Sequence, residues 1–310
     1  MNNSIFYDSS LSDNERREKL YQGQLFVFSP TPATKAFIAF ARELLEEAFA
    51  PYEPVQAQHH LPVEQFVAIL AELKPRFIHH PRSKELLKAV LIERGCDPEQ
   101  TYFDVPRMRS MASGDYLKAG IAFPFHPHRD TWFSAPHNQL NWWMPIYDVT
   151  SDNVMAFHPR YFRESIKNSS ETYNYYEWNK KNRANAAQYI KKDTRVQPTP
   201  LEPVELDPQV RPVTAPGGII VFSGAQLHST VPNTSGYTRF SIDFRTVNYA
   251  DVAAQRGAPN VDSACTGTAL RDFLRVSDLA PLPEELVEPY DSGREVDGVL
   301  VYKPELALVS

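Results

Sequence analysis

Between residues 125 and 132 the chain reads FHPHRDTW, which places His126, His128 and Asp130 at alternate positions. On an extended strand, side chains two apart project from the same face, so His128 and Asp130 can chelate one cation. Two histidines and one carboxylate on one face of an octahedral metal leave three positions open, the arrangement of non-haem Fe(II) sites for oxygen chemistry. The third ligand must come from a distant strand that returns alongside, and His228 is the candidate: it sits in GGIIVFSGAQLHSTVPNTSGYTRFSIDFR, a strand, a turn, a histidine and another strand. Arg239 follows eleven residues after His228, with Ser241 on the same face. A buried guanidinium and a hydroxyl pointing the same way suit a carboxylate, which takes a bidentate arginine and a further donor. His126 leaves a second arrangement open, an HxH pair with His128, although Pro127 between them breaks strand register.

The elements that must carry these residues are of two kinds. The first hundred residues read as helical. ATKAFIAFARELLEEAFA puts Phe37, Phe40, Ala41, Leu44 and Ala48 on one face, and PVEQFVAILAELK does the same with Phe66, Ile69, Leu70 and Leu73. Pro62 opens that second helix and Pro75 is expected to close it. RSKELLKAVLIERG offers Ser83 as N-cap, a stripe of Leu86, Leu87, Val90 and Leu91, and Gly95 as the stop. These stripes read as core packing.

From about residue 101 the segments TYFDVPRMRSM, YLKAGIAFPFH, NQLNWWMPIYDV, NVMAFHP, GGIIVFSG and TRFSIDFRTV are short, rich in aromatic and β-branched residues, and bounded by Pro, Gly, Asn or Asp. They predict the strands of a sandwich or barrel. RFSIDFR alternates, with Arg239, Ser241, Asp243 and Arg245 on one face and Phe240, Ile242 and Phe244 on the other. Residues 160–203, polar yet rich in Tyr and Trp, are too long for an ordinary connection and predict an excursion or a lid. The tail after residue 250 carries little signal.

The totals narrow the function classes. The chain has 310 residues, with 26 prolines against 12 glycines, which suits many short elements joined by fixed turns. A net charge of −6 argues against a basic nucleic-acid footprint. Cys96 and Cys265 are the only cysteines and form neither a disulfide framework nor a zinc knuckle, which favours a reducing compartment. The N-terminus lacks the apolar core of a signal peptide and no apolar run reaches the roughly 18 residues of a membrane span. The expectation is a soluble, cytoplasmic protein, monomer or homodimer, that binds a small molecule and neither nucleic acid nor membrane.

HRD, the distal histidine and Arg at +11 together resemble the iron(II)/2-oxoglutarate dioxygenases, in particular the phytanoyl-CoA dioxygenase-like branch. HSTVPNTSGYTRFSIDF resembles that branch's distal segment, with a small polar residue at +2 (Thr230) and Asn at +5 (Asn233). NWWMPIYDV followed by NVMAFHP resembles its strand pair after the HxD turn, although NVMAFHPRYF departs from the usual NG…PGSH. The resemblance covers roughly residues 100–250. It implies an α+β, mainly β chain: a double-stranded β-helix, or jelly roll, flanked by N-terminal helices in a single catalytic domain. That domain would comprise a helical flank (1–100), the core (101–250) with its 160–203 insertion, and a C-terminal extension (251–310). It also implies Fe(II) on His128, Asp130 and His228, with 2-oxoglutarate on the iron and its far carboxylate on Arg239, near Thr230 or Ser241. Arg109, or Arg107 on the same face, would match a further co-substrate contact. With O2 the family releases succinate and CO2 and oxidises a substrate C–H bond. Halogenating relatives carry Gly or Ala where Asp130 stands, so hydroxylation, or a desaturation, ring closure or dealkylation derived from it, is favoured.

Other residues have bland and sharp readings side by side. His126 is support or a ligand. His137 and His158 read as turn or surface residues, and the pairs at 59–60 and 79–80 as solvated. Of Trp142 and Trp143 only one can face inward; Asn141 shares the face of Trp143 and is a candidate contact for 2-oxoglutarate. Arg245 either pairs with Asp243 or meets an anionic substrate. Trp132, Trp143, Arg245, Tyr175 and Trp178 are the candidate substrate contacts, with Tyr173 and Tyr176 as further aromatics of the excursion. The competing readings are a cupin-type metalloenzyme that does not use 2-oxoglutarate and relies on His126 and His128, and a catalytically silent jelly-roll binding protein.

Overall fold

The computed structural model describes residues 5–117, 119–120, 126–182, 187–190 and 192–291. Ten strands appear among them: β1 (Ile5–Tyr7), β2 (Leu25–Phe28), β3 (Thr101–Phe103), β4 (Arg107–Met111), β5 (Leu140–Pro145), β6 (Met155–Phe157), β7 (Ile219–Ser223), β8 (His228–Thr230), β9 (Arg239–Asn248) and β10 (Leu274–Arg275). Eight of them form one sheet in the order β1-β2-β7-β5-β9-β3-β10, with β4 also pairing β9, and β6 and β8 form a second, two-stranded sheet. Among the described strands, only the β1–β2 pairing is parallel.

The alternation read in β9 sets up the layers. Phe240, Ile242 and Phe244, with Trp142 and Met144 of β5 and Met108 of β4, pack in one cluster with the N-terminal helices. The opposite face, carrying Trp143, Ile220, Phe222, Leu25 and Val27, packs on Val154 and on Met155 and Phe157 of the smaller sheet. Trp142 and Trp143 therefore point to opposite layers, as consecutive strand residues must. The arrangement is a mixed α/β chain whose large sheet lies between helices and a small sheet.

Seven α-helices complete the described residues: α1 (Asp13–Leu20), α2 (Pro32–Phe49), α3 (Val63–His79), α4 (Pro81–Glu93), α5 (Tyr175–Lys181), α6 (Tyr249–Ala253) and α7 (Glu284–Val287). Phe37, Phe40, Ala41, Leu44, Phe66, Leu70, Leu73, Leu87, Val90 and Leu91 are buried as the stripes predict. Three readings of this region are corrected. α3 does not stop at Pro75 but continues to His79, because Phe77 is buried and stacks on Phe37 and Phe40; this packing offsets a helix-interior proline that costs about 3 kcal/mol. α4 is capped by His80, whose Nδ1 accepts from Arg82 N at 3.0 Å. Ser83 instead donates to the Phe77 carbonyl at 2.6 Å. Finally, β1 and β2 add two strands to a stretch expected to be helical; LFVF is the short apolar run that signals β2.

TYFDVPRMRSM splits into β3 and β4 around Pro106, and the strand expected over YLKAGIAFPFH lies largely outside the described residues. The tail is built into the fold. β10 pairs β3, and Leu270, Phe273, Leu282 and Val287 pack with Tyr102 and Val247. Among the described residues no helix is long and apolar enough to cross a membrane.

Candidate metal centre

His128 and His228 face each other across a single antiparallel β-bridge. Each donates its backbone N–H to the other's carbonyl, at 2.9 and 3.0 Å. The extended conformation ends at Arg129 (φ −110°, ψ 143°), and Asp130 opens a short 3₁₀ helix, Asp130–Phe133. The HxD segment is thus a one-residue bridge and a turn rather than a strand. The turn is pinned by Asp130 N–H, which donates to the Gly224 carbonyl at 2.8 Å. The two side chains still converge: His128 Nε2 lies 3.5 Å and His228 Nε2 3.7 Å from Asp130 Oδ1. One donor atom from each of the three buried residues lies within 4.8 Å of the others.

The ring nitrogens are sorted for coordination. His128 Nδ1 contacts the His126 carbonyl at 2.7 Å and His228 Nδ1 the Gln226 carbonyl at 2.9 Å. A carbonyl only accepts, so both Nδ1 atoms carry a proton, and both Nε2 atoms are turned to the centre, where a metal would meet them. Burial, and then His128 beside it, push the His228 pKa down to about 3, so the ring is neutral, the form that binds metal. For Asp130, burial opposes ionisation, but a hydrogen bond from His128 and then the Arg245 guanidinium outweigh it and hold the carboxyl well below the usual carboxylate range. Its Oδ2 accepts from Asn141 Nδ2 at 2.8 Å and Gln139 Nε2 at 3.1 Å, which leaves Oδ1 facing the histidines.

His126 contributes through its carbonyl, and the residue is exposed. Asn141 is brought to the centre, but against Asp130. Gln139, which sequence reasoning passed over, shares that task and also donates to Asn141 Oδ1 at 2.9 Å.

The inward face of β9 runs away from the centre as Arg245, Asp243, Ser241 and Arg239. Arg245 lies 3.7 Å from Asp130, 3.3 Å from Asp243 and 3.4 Å from Asp104. Burial works against its charge, but Asp243, Asp104, Asp130 and Tyr175 together raise its pKa. Arg109, opposite Ser241 in the ladder, holds Asp243 through two bonds at 2.6 and 3.2 Å; Arg107 holds Asp104. At the far end Arg239 is buried, with Nη1 donating to the Asn153 carbonyl at 3.0 Å and its guanidinium 5.6 Å from the Trp143 ring. Burial pushes its pKa down to about 10, against the pull of Asp243. Arg239 Nε and Ser241 Oγ are buried without a hydrogen-bond partner among the described residues. Thr230 stands two residues beyond His228 in β8, opposite Met155. One inward step along β5, about 7 Å, separates Asn141, bonded to Asp130, from Trp143, beneath Arg239.

A row of aromatic rings leads outward from the centre. Phe133 meets His128 edge-on at 5.4 Å, Tyr173 meets Phe133 at 5.4 Å and Trp178 lies 5.9 Å from Tyr173. Tyr175 and Tyr176 direct their hydroxyls to Asp272 and Asp291 of the C-terminal segment. Trp132 is fully buried with Tyr161, Ile166 and Leu227 and donates Nε1 to Asp262 at 2.7 Å. The structure therefore places it in packing behind the turn, not on a substrate surface.

Two of the histidine readings are corrected. His158 is buried, with Nε2 3.0 Å from Ser229 Oγ and Nδ1 3.1 Å from the Leu206 carbonyl. His79 is buried at the end of α3.

No family model matches the chain, and no curated protein matches it in sequence. Among solved structures it is similar to EvdO2 from Micromonospora carbonacea var. aurantiaca complexed with 2-oxoglutarate, at 13% identity over 77% of this chain and 92% of that one, with a TM-score of 0.43. It is also similar to the non-heme monooxygenase ThoJ (11%, 93% and 87%, TM-score 0.41). A third is the non-heme alpha-ketoglutarate-dependent epimerase SnoN from nogalamycin biosynthesis (15%, 76% and 84%, TM-score 0.35). All three likenesses are distant.

Proposed function

We propose that the protein is an Fe(II)- and 2-oxoglutarate-dependent oxygenase that hydroxylates a C–H bond of a small-molecule metabolite or natural product. The observation that carries this is the pairing of two features inside one two-sheet core. One is the convergence of His128, Asp130 and His228, with both Nε2 atoms turned inward. The other is a buried arginine–serine pair with unused N–H and O–H groups.

The donor set fits iron. Imidazole and carboxylate suit it, and three protein ligands leave room for a bidentate co-substrate and O2. Arg239 and Ser241 fit the far carboxylate of a short dicarboxylate, since a buried cation with an unsatisfied Nε next to an unsatisfied hydroxyl is costly until an acceptor arrives. Thr230 is a further candidate contact on the adjoining strand. When bound, iron, 2-oxoglutarate and O2 supply the oxidation, in which the keto acid leaves as succinate and CO2 and one oxygen atom enters the substrate C–H bond. The chain's own work is positional. Asn141 and Gln139 fix the Asp130 carboxylate. The carbonyls of His126 and Gln226 fix the rings of His128 and His228, and Trp143 backs Arg239.

The jelly roll, the single catalytic domain and the 160–203 segment as its cover belong to the same proposal, with Phe133, Tyr173 and Trp178 as the aromatic wall beside the metal. The phytanoyl-CoA dioxygenase-like branch remains the sequence resemblance behind it. The cupin-type alternative needs His126 as a ligand, and His126 is exposed while its carbonyl serves His128.

The test is calorimetric titration of 2-oxoglutarate into anaerobic Fe(II)- or Mn(II)-loaded protein. The reading expects one site per chain in the wild type and loss of binding in Arg239→Ala. Equal binding by both, or none by the wild type, contradicts it.

A further inference from the structure

Arg129 separates two of the proposed ligands in sequence, yet its side chain turns away from them and is fully buried. Nε donates to Asp262 Oδ2 at 3.1 Å and Nη1 to the Ala225 carbonyl at 2.7 Å. Nη2 donates to the carbonyls of Tyr161 and Glu164, the latter at 2.8 Å. Asp262 is engaged just as fully. Its Oδ1 accepts from Trp132 Nε1 at 2.7 Å, its Oδ2 accepts also from Ile166 N–H at 3.0 Å, and its carbonyl accepts from Asn168 Nδ2 at 2.8 Å. Its side chain is 4% exposed.

These contacts bracket the metal centre from behind. Arg129 lies between His128 and Asp130, and Trp132 closes the same turn. Ala225 follows Gly224, the residue whose carbonyl fixes Asp130 N–H, and precedes His228 by three positions. Tyr161, Glu164, Ile166 and Asn168 belong to the segment that begins the 160–203 excursion. Arg129 and the carboxylate it meets therefore tie the ligand-bearing turn, the approach to the third ligand and the base of the excursion into a single buried unit.

We infer that Asp262 is a positioning residue for the metal centre, setting metal affinity through Arg129 and Trp132 without touching the metal. The inference rests on the proposed metal site. An acceptor of three side-chain and backbone donors cannot be replaced by an amide, which offers one oxygen and turns an N–H2 toward a donor. A relaxed Arg129 displaces the two residues that flank it, and groups that orient metal ligands typically set affinity by about 10–100-fold.

The experiment compares Mn(II) affinity and melting temperature of the metal-free protein for wild type, Asp262→Asn and Asp251→Asn. Asp251 is the control: it is equally buried and holds Arg17 at 2.6 Å, Tyr21 at 2.8 Å and Arg256 at 2.6 Å, none of them on a ligand-bearing turn. The expected result is Mn(II) affinity weakened about 10–100-fold in Asp262→Asn and unchanged in Asp251→Asn, with both melting temperatures lowered. Unchanged affinity in Asp262→Asn, or an equal loss in both variants, overturns the inference. If Asp262→Asn does not fold, Trp132→Phe, which deletes only the indole donor, takes its place: weakened affinity supports the inference and unchanged affinity overturns it. A wild type that binds no Mn(II) overturns this inference and the proposed function together. A wild type that binds while Asp262→Asn, or Trp132→Phe in its place, matches it overturns this inference alone.

Discussion

His128 and His228, one hundred residues apart in sequence, exchange both backbone hydrogen bonds and hold their imidazole centroids 4.3 Å apart. The rings are thus positioned by main chain as much as by side-chain packing, and the Nδ1–carbonyl bonds two residues upstream of each fix their rotation. The bridge joins two distant parts of the chain, so a metal held by both rings and Asp130 would clamp the native state.

That clamp predicts metal-linked stability. Mn(II) at about 100 times its dissociation constant should add about 2.7 kcal/mol, seen as a raised melting temperature that a chelator reverses. Asp130→Ala should show no such shift. A wild-type melting temperature indifferent to Mn(II) and to chelator would count against the clamp.

Asn141→Ala should weaken metal binding while leaving the fold intact. It removes the 2.8 Å donor to Asp130 Oδ2 and leaves Gln139 alone at 3.1 Å. The expected loss in Mn(II) affinity is about tenfold or more, with an unchanged far-UV circular dichroism spectrum. Wild-type affinity in this variant would assign Asn141 to packing.

Arg239 should govern 2-oxoglutarate and not the metal. Hydrogen bonds to a charged group contribute about 1.5–3 kcal/mol each, so losing the guanidinium in Arg239→Met should raise the dissociation constant of 2-oxoglutarate roughly a hundredfold or more. Mn(II) affinity should stay as in the wild type. Arg239→Lys should recover part of the loss, because it restores charge without the planar fork. A variant in which metal and 2-oxoglutarate binding fall together would point to a structural collapse instead.

Much of the candidate site was legible because its chemistry restricts residue type. Few side chains bind iron, so His128, Asp130 and His228 stood out, and the structure brings them together. The alternation in β9 sufficed to put Arg239, Ser241, Asp243 and Arg245 on one face. What was not legible depends on contacts between residues far apart and ordinary in type. Asp262 reads as a tail residue until Arg129 and Trp132 are found against it. Gln139 and Phe133 carry no signal of their own. The passage of α3 through Pro75 was hidden because local propensity is weak beside the burial of Phe77. Trp132 and Trp143 are both buried; only the turn at Asp130 sends the first behind the metal centre, while the second stays on the inward face of β5.

Lys84 gives a pH-dependent prediction. It is almost wholly buried in α4, and burial pushes its pKa down to about 7. Between that value and the ordinary lysine range the unfolded chain binds the extra proton, so its contribution to stability rises with pH over this window. Lys84→Met should therefore be more stable than the wild type near pH 7, and the advantage should shrink as pH rises toward the ordinary lysine pKa of about 10.4. Melting curves across that range check the sign; an advantage that grows with pH would refute it.

The most direct test of the central claim is succinate release from 2-oxoglutarate when anaerobically iron-loaded protein meets O2, measured for wild type and Asp130→Ala. Slow turnover uncoupled from any substrate is expected in the wild type and none in the variant, whose metal face lacks its carboxylate. Succinate from neither protein, or equally from both, would contradict an iron- and 2-oxoglutarate-dependent oxygenase centred on His128, Asp130 and His228.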